Sequence, residues 1–224
     1  MKHLLLSILI FFAVISTAVA QMPGSMPDGT NQSSSSGSGL LSRLAGLRVT
    51  AGITGGDIIF KDDTGNGINA EFGPSLGYML GLSKDYALSE NLILQPGIAL
   101  VGFGSKVVDA DYTYNIHYLS FNANALYRTP FRIYTGAGLF LDYGLFGSQS
   151  YPSGGSANIF ESGGFGRLNT GVNMELGYPI NFGDKQADVF GSYRIGMNNV
   201  EGEDAEAGQT TKLRMFTIGV KYIL

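Results

Sequence analysis

Residues 72–82 read Phe-Gly-Pro-Ser-Leu-Gly-Tyr-Met-Leu-Gly-Leu, and this stretch decides the fold. Phe72, Pro74, Leu76, Tyr78, Leu80 and Leu82 share one parity, and Gly73, Ser75, Gly77, Met79 and Gly81 share the other. A period of two predicts a β-strand. A soluble sheet usually turns charged residues to water on its second face, whereas the second face here is small. The pattern is typical of a narrow membrane barrel, with lipid outside and side chains filling the inside.

The same alternation recurs along the chain and predicts an all-β fold. We expect an eight-stranded antiparallel up-and-down transmembrane β-barrel over residues 47–224, because each alternating stretch can supply the ~9–11 tilted residues that cross a bilayer. The predicted strands are β1 (47–56), β2 (70–83), β3 (91–105), β4 (113–128), β5 (131–146), β6 (165–178), β7 (186–198) and β8 (211–224).

Two segments precede the predicted barrel. Residues 1–20 have the features of a secretory signal peptide, namely a polar start, an apolar run and an Ala18-Val19-Ala20 cleavage site. Residues 21–46 are rich in Ser, Gly and Pro, and they predict a flexible linker because they hold almost nothing to bury. The expected organisation is a signal peptide, a linker and one barrel domain.

Composition separates the membrane interpretation from its soluble alternatives. Charged residues make up 14% of the chain, against about 25% in an ordinary soluble domain. A lipocalin-like barrel or a β-sandwich would show charge outside, whereas the less apolar face here is mostly Gly, Ser and Asn. The net charge of −4 gives no reason to expect nucleic acid. The absence of cysteine excludes disulfides, thiolate metal sites and a Cys nucleophile, and no cofactor is predicted.

The connections between the predicted strands alternate in length. Mostly long polar loops follow β1, β3, β5 and β7, and shorter turns follow β2, β4 and β6. Bacterial outer-membrane barrels have short periplasmic turns and longer outer loops. We therefore expect a multi-pass protein of the Gram-negative outer membrane with both termini in the periplasm. Its expected surroundings are outer-membrane lipid and lipopolysaccharide.

Three motifs within residues 90–146 resemble one family. Leu92-Ile93-Leu94-Gln95-Pro96-Gly97, Tyr118-Leu119-Ser120-Phe121-Asn122-Ala123 and Tyr134-Thr135-Gly136-Ala137-Gly138 are similar, in this order, to strands of the PorT-like outer-membrane β-barrels. The chain departs from the family pattern at Asn122, where proline is usual. The resemblance implies an eight-stranded outer-membrane barrel, usually without assigned enzymatic activity. Some relatives serve secretion systems.

The last predicted strand alternates to the end of the chain. Phe216, Ile218, Val220, Tyr222 and Leu224 share the outward parity. This pattern resembles the C-terminal signal by which barrel-assembly machinery recognises its clients, although many such signals end in Phe. We therefore expect this machinery to be a partner during assembly.

Charged residues on the inward parity predict a charge network in the lumen. They are Arg48, Glu71, Arg132, Asp142, Arg167, Glu175, Asp188, Arg194 and Lys221. In a narrow lumen such charges must pair, and strand direction predicts a contact between Asp142 and Arg167. The expected result is a plugged barrel, and the alternative left open is a gated pore.

Few residues are candidates for catalysis. His117 is the one histidine after the predicted signal peptide, and Ser120 lies three residues away, on the opposite face of a strand. Because β4 offers no acid nearby, a His-x-Ser site like that of the lipid A deacylases is not predicted. We expect His117 to lie in an aromatic belt beside Tyr114 and Tyr118, near the outer interface.

The outer loops carry acidic residues, whose oxygens suit Ca²⁺ or Mg²⁺. They are Asp57, Asp62, Asp63, Glu201, Glu203, Asp204 and Glu206. The stretch from Asp62 resembles a calcium loop, but Gly73 stands at the twelfth position, where an acid is required. No metal site is therefore predicted, and solvated loops are expected.

The predicted role is structural or binding rather than enzymatic, through outer loops that contact an unidentified protein partner. Two alternatives are an accessory component of an envelope-assembly or secretion system and a lipid-modifying enzyme. The single His117 argues against the enzyme.

Overall fold

A computed structural model describes residues 46–61, 72–107, 112–161, 165–182, 185–201 and 210–224. The predicted signal peptide, nearly all of the predicted linker, and Glu71 lie outside these residues. The described residues belong to one compact unit, Ala45–Leu224. Among them, no helix is long and apolar enough to cross a membrane.

Eight long strands form the barrel, and each overlaps the strand predicted at the same place. They are β1 (Leu47–Lys61), β2 (Phe72–Lys84), β3 (Leu92–Val107), β4 (Tyr112–Arg128), β5 (Tyr134–Ser150), β6 (Leu168–Phe182), β7 (Lys185–Gly196) and β8 (Thr210–Ile223). β1 and β5 continue further than predicted, to Lys61 and Ser150. The prediction ended where the alternation of apolar residues ends, whereas the strands continue beyond that apolar part.

Each long strand pairs antiparallel with its neighbours in sequence. β1 and β8 pair from Arg48 opposite Ile223 to Lys61 opposite Thr210, and this pairing closes the barrel. The amide of Leu224 then donates to the carbonyl of Leu47 at 2.9 Å. Closure satisfies the backbone of the first and last strands, which would otherwise be open edges.

The two ends of the barrel differ in their connections. The turn end carries the described connections 85–91 and 129–133, and the opposite end is the loop end. A short strand, Tyr86–Ala87, pairs with β3 at the turn end, and another, Ser156–Asn158, pairs with β5 at the loop end. The predicted alternation of connection lengths is therefore incomplete: the turn-end connection 85–91 is longer than the loop-end connection 108–111.

The barrel exterior is apolar. Leu76 is 79% exposed and Ile218 is 62% exposed, values that a soluble protein would not tolerate over a whole surface. Other exposed strand residues are Val49, Ile53, Leu80, Leu82, Ile98, Leu100, Leu139, Leu176 and Val220. Hydrocarbon is the medium that suits such a surface. The predicted eight-stranded antiparallel up-and-down transmembrane β-barrel is confirmed.

Inward glycines make room for aromatic rings from neighbouring strands. A Cβ at Gly56 would lie 1.7 Å from the Phe103 ring, and one at Gly177 would lie 2.2 Å from Tyr134 Cζ. Real Cβ atoms do not approach so closely, so each ring occupies the space that its glycine leaves. The small inward residues of the sequence are thus part of the packing of a filled barrel.

A β-bulge interrupts the stretch from which the fold was predicted. Between Ser75 and Tyr78 the pairing with β3 shifts by one residue. Ser75 now opposes Gly104, and Gly73 opposes Lys106, whose side chain is exposed. The prediction that Gly73 and Ser75 face inward is therefore wrong, because a shift of one residue moves a strand's side chains to the other face.

Candidate functional site

The lumen near the turn end contains buried ion pairs. Arg48 of β1 binds Asp188 of β7 through Nη1. Its Nε and Nη2 donate to Asp85 Oδ2 at 2.9 and 2.8 Å. The Arg48 side chain is 4% exposed, and burying such a charge without a partner would cost several kcal/mol. The two carboxylates offset this cost and tie β1 to β7 and to the β2–β3 turn.

Gln95 of β3 extends this group of contacts to a second ion pair. Its Nε2 donates to Asp85 Oδ1 at 2.6 Å, and its Oε1 accepts from Lys221 Nζ at 2.5 Å. Lys221 Nζ also binds Glu175 Oε1. We call these linked residues the turn-end cluster: Arg48, Asp85, Gln95, Glu175, Asp188 and Lys221. Its contacts join strands around the lumen.

A second cluster lies deeper in the lumen. Arg194 Nη2 donates to Asp142 Oδ1 and to Ser120 Oγ, each at 2.9 Å. Asn169 Nδ2 donates to Asp142 Oδ2 at 3.2 Å, and the Arg194 guanidinium lies 4.0 Å from the Phe140 ring centroid. We call Ser120, Asp142, Asn169 and Arg194 the middle cluster. Arg194 is 4% exposed and Asp142 is 1% exposed, so water does not screen this pair.

Two asparagines lie between the clusters. Asn124 Nδ2 donates to Glu175 Oε2 at 3.3 Å, and Asn173 Nδ2 donates to Asn124 Oδ1 at 3.2 Å. Asn173 stands opposite Arg194 in the β6–β7 pairing. The two asparagines therefore lead from Glu175 toward Arg194, but neither makes a described hydrogen bond to the middle cluster.

The structure brings together six of the nine residues of the predicted charge network. Those buried in the lumen are Arg48, Asp142, Glu175, Asp188, Arg194 and Lys221. Arg132 is exposed in the turn that follows β4, because β5 begins only at Tyr134. Its predicted place inside the barrel is wrong. Glu71 lies outside the described residues.

The predicted contact between Asp142 and Arg167 is wrong. β6 begins at Leu168, and the β5–β6 pairing sets Asn169, not Arg167, opposite Asp142. Arg167 instead donates through Nη1 to the carbonyl of Gly144 at 3.0 Å and covers the Phe160 ring at 4.9 Å. Because of this register, Asp142 forms its ion pair with Arg194 across the lumen.

Two members of the turn-end cluster were missed by sequence reasoning. Gln95 has the inward parity of β3, so a polar residue at that position was a usable signal. Asp85 lies in a connection, where alternation gives no information about direction. Only the path of the β2–β3 turn, which returns Asp85 to Arg48, shows its role.

An apolar cluster fills the lumen at the loop end. Its buried members are Ile58, Phe103, Ile116, Ile159, Phe165, Val200, Leu213 and Met215. Ile159 and Val200 belong to connections, and their amides donate to the carbonyls of Gly147 and Thr211 at 3.2 and 3.0 Å. The described parts of these two connections therefore pack against the strand residues at the loop end of the lumen. We call this group the loop-end apolar cluster.

A cavity of about 470 Å³ opens at the turn end. Its charged lining residues are Arg48, Asp85, Arg128, Arg132 and Asp188. The size lies within the range of small-molecule sites. We call it the mouth cavity, and four members of the turn-end cluster line it: Arg48, Asp85, Gln95 and Asp188.

His117 lies on the barrel exterior among aromatic rings. Its ring stacks on Phe146 at a centroid distance of 4.2 Å, and its Nδ1 lies 3.1 Å from the Tyr78 hydroxyl. A bulge in the β4–β5 pairing after His117 brings Phe146 opposite it. The expected neighbour Tyr118 is instead 2% exposed and points into the lumen. That part of the aromatic-belt prediction is wrong, because Tyr118 has the inward parity of β4.

Most of the acidic loop residues lie outside the described part of the chain, namely Asp62, Asp63, Glu203, Asp204 and Glu206. Glu201 is described, and its carboxylate accepts from Thr211 Oγ1 at 2.9 Å and from Asn199 Nδ2 at 3.0 Å. Within the described residues, no group of three or more His, Asp or Glu side chains could hold a metal ion.

The C-terminal strand presents its alternating residues to the exterior. Phe216, Ile218, Val220 and Leu224 are exposed, and Tyr222 is half-buried. Its proposed recognition by assembly machinery stays a prediction.

No protein-family model matches the chain, and no curated protein matches it. Solved structures that resemble it include Ail, the attachment invasion locus protein of Yersinia pestis, at 16% identity and a TM-score of 0.43, covering 80% of this chain and 97% of that one. Neisserial surface protein A has 14% identity and a TM-score of 0.44, with 80% and 98% covered. The outer membrane protein OprG from Pseudomonas aeruginosa has 16% identity and a TM-score of 0.31, with 80% and 96% covered. The chain's own pairing and apolar exterior make it an eight-stranded transmembrane β-barrel of the outer-membrane type.

Proposed function

We propose that this protein is an outer-membrane β-barrel with a closed lumen, and that its role is structural or binding, through its outer loops. One observation carries the proposal: the lumen charges pair with one another and lie beneath the loop-end apolar cluster. A lumen that conducts ions needs a continuous polar path, and such a cluster interrupts it.

The apolar exterior and the distribution of loops support placement in the outer membrane, with the loop end outside and both termini in the periplasm. Membership of the PorT-like family rests on the sequence resemblance alone, since no family model matches the chain. The exposed loop-end surface is then the part of the molecule that a partner outside the cell can reach.

Cysteine labelling tests the location and orientation, because the chain contains no cysteine. Ser153→Cys places one thiol in an exposed loop-end connection, and Pro130→Cys places one in an exposed turn. On intact cells, a membrane-impermeant maleimide should label the Ser153 variant at once and the Pro130 variant only after permeabilisation. The reverse pattern, or recovery of both proteins outside the outer-membrane fraction, contradicts the proposal.

A second candidate function is an accessory component of an envelope-assembly or secretion system. The observation that favours it is the turn after β4, where Phe131 is 81% exposed between Arg128 and Arg132. Arg132 has a φ of 64°, which a residue other than glycine rarely adopts. Exposed aromatic and arginine side chains are enriched in protein interfaces, and this turn would face the periplasm.

Co-purification with matched variants tests this second function. A periplasmic protein should be recovered with the wild type and with Leu88→Ser, which alters a different exposed residue at the same end. It should be lost with Phe131→Ser. Equal recovery with all three proteins contradicts a role for this turn.

A non-enzymatic role is part of the proposal. The described contacts of the His117 ring are with Tyr78 and Phe146, neither of which can orient and charge an imidazole as a carboxylate does. This geometry supports an aromatic-belt role for His117.

A further inference from the structure

Eight buried side-chain atoms have no hydrogen-bond partner among the described residues, and two of them belong to residues that stand opposite each other in the lumen. These two atoms are Arg194 Nη1 and Asn173 Oδ1, and their residues are 4% and 5% exposed. The Phe140 ring contacts the guanidinium of Arg194 but offers Nη1 no acceptor oxygen. A buried donor or acceptor left unpaired costs about 1–3 kcal/mol, so such atoms usually bind ordered water.

The two residues line one small cavity. Arg194 and Asn173 stand opposite each other on β7 and β6, and both line a space of about 40 Å³ between the turn-end and middle clusters. Thr50, Asn122 and Ser192 add polar groups to the lining. One water molecule needs roughly 10–15 Å³ of such space and 2–4 polar partners. The cavity meets both requirements.

The charges around the cavity favour a neutral ligand. Lys221 and Glu175, which both line it, bind each other, and Arg194 is bound by Asp142. Neither pair leaves an excess charge for a free ion to neutralise. The free donor on Arg194 and the free acceptor on Asn173 match a molecule that both accepts and donates.

Gln95 lies between this cavity and the mouth cavity. It lines both spaces, and its side chain is held on one side by Asp85 and on the other by Lys221. Gln95 is 2% exposed, so its amide fills the boundary. Toward the loop end, Phe103 and Met215 stand beyond Arg194 and offer no polar route.

We infer that water occupies the 40 Å³ cavity, bound by Arg194 Nη1 and Asn173 Oδ1, and that the Gln95 side chain separates it from the mouth cavity. The water completes the hydrogen bonding between the two charge clusters. It exchanges with the turn-end side when Gln95 moves. The lumen is then a vestibule hydrated from one end only.

A crystal structure of the full-length protein, grown from sodium bromide at a resolution that shows ordered water, tests the ligand. The expected result is electron density within hydrogen-bond distance of both atoms and without anomalous signal at the bromine edge. An anomalous peak would mean an anion site and overturn the inference. So would an empty cavity in which Arg194 Nη1 bonds directly to Asn173.

Thiol labelling tests the separation. Ser192→Cys puts a single thiol in the wall of the inner cavity of a chain that has no other cysteine. Adding Gln95→Ala should speed its reaction with methyl methanethiosulfonate by about tenfold or more, and adding Asn181→Ala, which alters only the mouth cavity, should not. Gln95→Asn keeps the amide but shortens it, and covers the case in which the alanine variant does not fold. Equal rates in the folded Gln95 variants and the Ser192→Cys parent overturn the assignment of Gln95.

Discussion

Lys221 and Glu175 form a buried ion pair that joins β8 to β6 across the lumen, past the strand that separates them. Their side chains are 5% and 3% exposed, so each charge is stabilised by its partner and not by water. Glu175 Oε2 also accepts from Asn124. The pair shows how this barrel holds charges in its interior: each is bound by groups from strands that are not its neighbours.

Glu175→Gln should destabilise the barrel by about 3–5 kcal/mol, because it leaves the Lys221 ammonium buried without its carboxylate. The free energy of unfolding by urea in phospholipid vesicles measures the loss. The double variant with Lys221→Met should recover part of it, since no unpaired charge remains.

Lys212→Met is the matched control for this experiment, because Lys212 is an exposed lysine on the same strand. It should change the free energy of unfolding by less than about 0.5 kcal/mol. An effect of Glu175→Gln no larger than that of the control would show that the pair is not needed.

Gly177→Ala should destabilise the barrel by about 1–3 kcal/mol, because the new methyl group would meet the Tyr134 ring. A Cβ at residue 177 lies 2.2 Å from Tyr134 Cζ, whereas at Gly191 the nearest atom is Thr217 O, at 4.0 Å. Gly191→Ala is therefore the control and should fold with unchanged stability. Equal urea midpoints for the two variants would contradict the packing of rings against inward glycines.

Ile218→Arg should destabilise the barrel by about 2–4 kcal/mol in a lipid bilayer, because it puts a charge among acyl chains. Ile218 is 62% exposed, so in a water-soluble barrel the same change would be harmless. Ser153→Arg, in an exposed loop-end connection, is the comparison and should be neutral. If Ile218→Arg were as stable as the wild type in the bilayer, this face of the barrel would not contact lipid.

His117→Phe should leave the lipid A profile of the producing cell unchanged, because the ring contacts of residue 117 are aromatic. Mass spectra of extracted lipid A from cells making the wild type or the variant give the comparison. A modification that appears with the wild type and vanishes with the variant would make the protein a lipid-modifying enzyme.

The strands could be predicted because a period of two indicates both a β-strand and the face of the sheet to which each side chain points. Large apolar residues on the lipid face alternate with small or polar residues on the lumen face, so the pattern is easy to detect. The same rule predicts that Arg48, Glu175 and Lys221 lie in the lumen, where all three are buried. It failed at Ser75, where a bulge shifts the register without a mark in the alternation. It was silent on Asp85, because a residue in a connection has no parity.

The ion-pair partner of each lumen charge was harder to predict than the position of the charge inside the barrel. Arg167 has the correct parity and charge to bind Asp142, yet β6 begins after it and the register presents Asn169 instead. Arg194 reaches Asp142 across the barrel, a contact that depends on closure and strand stagger rather than on spacing in sequence.

Planar-bilayer recording of the purified barrel tests the closed lumen most directly. Insertion should produce no sustained conductance, because the paired charges and the loop-end apolar cluster leave no continuous polar path. Sustained large conductance from the wild-type protein would contradict it and would make the barrel a pore.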